Sequence, residues 1–200
     1  MKRKLAFAAI GAALFCAGYV IAQQKAAPEV RRVVTKLDDS GKAVVMLDDR
    51  IELSNVRPPN FVANMWVTER SLADFSWTQD RAKTKTGLTP PKGGTVFRIV
   101  DFAPEPEGVA RMDMNTMQRV VGAADTPAKG LPPRHPMMHR TRTLDYAIVM
   151  SGEIDMLLDE GEVHLKAGDV VVQQATNHAW VNRGKEPCRI AFILMDSQEP

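Results

Sequence analysis

Between Leu144 and Met195 apolar and polar residues alternate in short runs separated by tight polar turns, with no helical element read between them. Ile154, Met156 and Leu158 alternate with Glu153, Asp155 and Asp159. Asp159-Glu160-Gly161 turns the chain, after which Val163 and Leu165 alternate with Glu162, His164 and Lys166. Ala167-Gly168-Asp169 leads into Val170-Val171-Val172, and a loop over Arg183 to Pro187 precedes the last strand, Arg189 to Met195. Such spacing predicts an all-β sandwich or barrel. His164 has the parity of Glu162 and Lys166, which puts it on a solvated face.

Upstream, Arg32 to Lys36 and Lys42 to Leu47 flank Asp38-Asp39-Ser40-Gly41 and read as a hairpin, and Phe61 to Thr68 and Thr95 to Phe102 as further strands. Ala73 to Gly94 reads as a surface excursion. Met114, Met117, Val120 and Val121 are spaced for a short helix, and the four prolines between Ala123 and Pro136 for an extended segment. The chain opens with a basic Lys2-Arg3-Lys4 and an apolar run from Leu5 to Ala22, the pattern of an export signal cut after Ala22. Export would leave a periplasmic or secreted protein, free of the membrane. Cys16 would leave with the signal, so Cys188, within an apolar run, remains as a buried thiol. Of the 26 Lys and Arg residues against 24 Asp and Glu, three lie in that leader. No basic stripe remains, so nucleic acid is not an expected partner. The expected domains are the signal (1–22), an extension with a hairpin and a strand (23–94) and a barrel (95–200).

From Met138 onward the chain resembles the cupin family, in particular the single-domain conserved-barrel (type 2) cupins. The family's first motif has a glycine, a His-x-His pair, a Glu four or five residues on, then six residues and a glycine. Here it reads His139-Arg140-Thr141, then Asp145, then Gly152. The second motif opens with Gly168 and ends with His178 and Asn182, with Ala175 where a glycine is usual. The resemblance implies a double-stranded β-helix, or jelly roll, with His139 as the first metal ligand and His178 as the last. Thr141 stands where the second His ligand belongs, and Asp145 where Glu belongs.

Strand geometry makes its own case. Residues of equal parity share a face, so His139, Thr141 and Asp145 can point into one interior, and His178 can meet them from another strand. Two imidazoles and a carboxylate are the ligand set of a mononuclear Fe site, which Mn or Zn also uses. Asp145 is the candidate catalytic residue, a general base if it does not bind metal. The expected function is an exported metal-dependent enzyme of dioxygenase, isomerase or decarboxylase type on a small organic substrate. The alternative is a metal-free, non-catalytic small-molecule binding protein. His135 is a candidate replacement ligand. Arg140 and Arg142 read as outer-face residues, Tyr146 and Trp180 as pocket or core, and Met137, Met138, Met150 and Met156 as packing. A homodimer through an exposed edge is the expected assembly.

Overall fold

The computed structural model describes residues 27–37, 43–71, 73, 77–109 and 134–198. The leader, Cys16, the turn at Asp38 to Gly41, the helix expected around Met114 to Val121 and most of the proline-rich segment lie outside the described residues. Strands β1 (Glu29–Leu37) and β2 (Ala43–Glu52) form an antiparallel hairpin. Then come β3 (Ser54–Arg57), β4 (Asn60–Thr68), β5 (Thr95–Phe102) and β6 (Thr143–Ser151). The chain ends in β7 (Glu153–Leu158), β8 (Glu162–Lys166), β9 (Val170–Gln174), β10 (His178–Val181) and β11 (Cys188–Asp196). A six-stranded sheet, ordered β3-β4-β5-β11-β6-β9, faces a three-stranded one, β10-β7-β8. The result is an all-β jelly-roll barrel with two walls, preceded by the hairpin.

The period of two explains the core. Inward residues of the large sheet, Val149, Ile190 and Leu194, pack against Ile154, Met156 and Leu165 of the small one. Outward residues of β4, β5 and β11 form a second cluster, Met65, Ile99 and Ala191, which Val30 and Ile51 of the hairpin cover. Arg32 fastens the hairpin: its buried guanidinium pairs with Asp49 and Asp80 and donates to the Met65 carbonyl. The segment between β4 and β5 is therefore no detached excursion, because Asp80 ties it to this pair. Further along the outer face Tyr146, Ile148 and Met150 stay exposed. Tyr146 is thus not a pocket residue, and Met150 is not a packing one.

Two turns bear on the site. Gly152, between β6 and β7, has φ +77°, and a Cβ there would come within 2.9 Å of backbone atoms of Pro187 and Cys188. Ala175, between β9 and β10, also lies in the left-handed region, at φ 51°. That conformation is why a glycine is usual at this place. Its amide donates to the Thr143 carbonyl, and its carbonyl accepts from Arg140 Nε.

Candidate functional site

His139 and His178 meet because their backbones do. The two residues form an antiparallel bridge, each amide donating to the other's carbonyl at 2.9 Å. Side chains of directly paired residues share a face, and the ring centroids lie 4.5 Å apart. Each Nδ1 sits 2.9 Å from the backbone carbonyl two residues back, Met137 for His139 and Thr176 for His178. A carbonyl only accepts, so Nδ1 carries the proton in both rings and the lone pair lies on Nε2. Burial, and secondarily the neighbouring His139 ring, push His178 down to about 3. It is a neutral base.

Asp145 lies elsewhere on the same cavity. The expectation that His139, Thr141 and Asp145 extend along one strand needs correction: the chain bends at Arg142, and β6 begins only at Thr143. His139 therefore belongs to the wall containing β10, while Asp145 pairs with Gln173 of β9 and Leu194 of β11 in the other wall. All three residues line one cavity. Asp145 Oδ2 accepts from Gln173 Nε2 at 3.2 Å, and its buried Oδ1 has no hydrogen-bond partner among the described residues. Burial pushes its carboxyl up to about 6, against the opposing pull of the Thr143 hydroxyl and the Arg98 charge. Thr141 exchanges a 2.8 Å hydrogen bond with Thr143. Among the described residues no three His, Cys, Asp or Glu side chains are grouped closely enough to hold a metal ion. Two imidazoles, an engaged threonine and a carboxylate on the opposite wall do not fit a metal centre held by the protein alone.

The cavity measures about 200 Å³. Its apolar wall includes Phe102, Trp180 and Phe192, whose ring centroids are 5.5 to 6.3 Å apart, and Trp180 meets His178 edge-on at 6.0 Å. Arg98 also lines it, held by Asn64, Thr86 and the Gly87 carbonyl. Its signal was in the sequence: in Thr95 to Phe102 it is the one charge at the inward parity of Val96, Val100 and Phe102. Asn182 is structural, donating to the Phe102 and Glu186 carbonyls. Glu105 lines the cavity as well, and no local pattern announces it.

The other expectations resolve individually. Both nitrogens of His135 are engaged, one near Glu105 and one by the Met137 amide, so it does not replace the missing ligand. His164 is exposed and bonded to Asp155. Arg142 faces Asp196 at 3.5 Å. Cys188 is buried, and burial first, then the Asp101 and Glu153 charges, pushes its thiol up to about 11, which makes it unreactive.

Comparison with known proteins adds a family model, a cupin domain, matching residues 126–194. Phomopsin biosynthesis cluster protein C′ of Diaporthe leptostromiformis is 31% identical over 188 residues, 88% of this chain and 85% of its own. A cupin-domain-containing oxidoreductase of Neurospora crassa is 29% identical over 185 residues, covering 86% and 80% respectively. Among solved structures, the cupin domain of Schizosaccharomyces pombe Cnp3 aligns with 84% of this chain and 88% of its own at a TM-score of 0.43 and 10% identity.

Proposed function

Since this chain belongs to the cupin family, we propose that it is an enzyme acting on a small organic molecule held inside the barrel, in the oxidoreductase class named for its relative. The observation that carries this reading is the pair of imidazoles with fixed tautomers in an apolar cavity. With its proton on Nδ1 and burial holding it at about 3, His178 presents a hydrogen-bond acceptor that orients a bound hydroxyl rather than deprotonating it. Asp145, on the opposite wall and raised to about 6, is the proton acceptor of the site, and its Oδ1, unpartnered among the described residues, calls for a ligand group. The aromatic wall excludes water from the exchange.

Oxidation of a substrate also needs an electron acceptor, which none of these side chains supplies. A divalent ion such as Fe, Mn or Zn at His139 and His178 would have to draw its remaining ligands from substrate, solvent or residues outside those described. The Thr141–Thr143 hydrogen bond favours a second reading, a metal-free binding protein. Metal analysis of the purified protein, with dioxygen uptake in the presence of small aromatic alcohols and aldehydes, separates the two. Turnover that disappears in folded His139→Ala and His178→Ala supports the enzyme. Binding without turnover, in protein free of metal, supports the alternative. Export through residues 1–22 belongs to the same proposal, and the N-terminal sequence of protein recovered outside the cytoplasm should start at Gln23.

A further inference from the structure

Glu105 and His135 form a second polar pair at this cavity, separate from the two facing imidazoles. His135 is buried at 6% exposure, and its Nε2 lies 2.7 Å from Glu105 Oε1. The Met137 amide points at its Nδ1 from 3.2 Å. An amide only donates, so Nδ1 accepts and the ring proton sits on Nε2, directed at the carboxylate. The backbone is pinned from both sides: the Glu105 amide donates to the Asn182 carbonyl and the Met138 amide to the His135 carbonyl. Glu105 and Met137 both line the cavity beside Phe102 and Trp180.

A carboxylate that has one buried side-chain donor among the described residues, on a wall otherwise largely apolar, retains acceptor capacity for a donor on whatever occupies the cavity. We propose that Glu105, positioned by His135, is the specificity-determining group of the site, and that it selects small aromatic molecules bearing a hydroxyl or N–H donor. The three aromatic side chains receive the ring, and Glu105 accepts the donor's proton in a hydrogen bond. His135 does not touch the ligand. It fixes which way the carboxylate faces.

This inference rests on the cavity being the substrate site, and its test tells the two apart. p-Cresol and p-xylene have nearly the same shape and differ by a hydroxyl in place of a methyl, so NMR titration of the full protein with each isolates the donor. The wild type should bind p-cresol roughly tenfold more tightly, the size of one charge-assisted hydrogen bond. Glu105→Leu should bring the two affinities together while p-xylene binding persists. His135→Leu should erode the preference, and His135→Gln, which restores an N–H toward Glu105, should recover it. Equal affinities in the wild type, or a preference unchanged in folded Glu105→Leu, overturn the role of Glu105 alone. No binding of either probe overturns the reading of the cavity and this inference with it.

Discussion

His178 and His164 lie in the same three-stranded sheet, on the two strands that flank β7, yet they face opposite worlds. His178 pairs with Leu158, which points into the barrel, and His164 pairs with Asp155 on the outer face. His178 is 3% exposed, whereas the His164 side chain is 61% exposed. Burial lowers the first to about 3, while the hydrogen bond to Asp155 raises the second above its usual value. One residue type thus becomes a buried neutral imidazole or a surface imidazole that holds its proton more tightly, according to the face and the partners that strand parity gives it. Below pH 6.5 the unfolded chain takes up a proton that folded His178 refuses, so its contribution to stability is present above 6.5 and lost as the pH falls toward 3.

The strongest way to break the comparison is to put a permanent charge on the inner face. His178→Lys buries an ammonium without a carboxylate partner and should destabilise the fold by ~3–5 kcal/mol in urea unfolding at pH 7. A loss under ~1 kcal/mol would mean that water reaches this wall.

Asp145 gives the next largest effect, with opposite sign. Its carboxyl is raised from 3.8 to about 6, so its favourable contribution is complete below 3.8 and is lost as the pH rises through 6. Asp145→Asn removes the buried charge and should stabilise the protein by ~1–2 kcal/mol at pH 8, with no gain at pH 3.5. Equal stabilisation at both values would place the benefit in packing rather than ionisation.

The turns into the two histidine strands differ as well. β8, which carries His164, is flanked by Gly161 and Gly168 at φ +76° and +94°, whereas β10 is entered through Ala175 at φ 51°. The inner strand therefore stores backbone strain that the outer one lacks. Ala175→Gly relieves it and should add about 0.5 kcal/mol, the left-handed penalty less the extra chain entropy of glycine. No change, or a loss, in the urea midpoint would deny that strain.

These contrasts also mark what was legible in the sequence. Alternation and glycine turns specified the strands from β6 onward, because a half-buried strand must repeat every two residues. His139 and His178 stood out as a motif, and the backbone bridge between them brings the rings together. The wall on which Asp145 sits was not legible, since a single bend at Arg142 moves it across the cavity without altering any parity. The pairing of Glu105 with His135, which the sequence had marked only as a replacement ligand, was illegible for another reason: the two are far apart along the chain, and only closure of the barrel makes them neighbours.

The smallest effect sharpens the comparison most. His164→Lys makes the substitution of His178→Lys on the other face, where Asp155 and Glu153 attract a cation and Arg183 already shares Asp155. The raised His164 contributes stability that is present below 6.5 and is lost as the pH rises through its folded value. A lysine keeps its charge through that range. At pH 5.5 the variant should therefore melt with the wild type, and at pH 8.5 slightly above it, with the difference shrinking in added salt because the pair is exposed. A variant that melts lower at both values would show the outer imidazole acting through its shape, and the contrast between the two faces would no longer be one of charge.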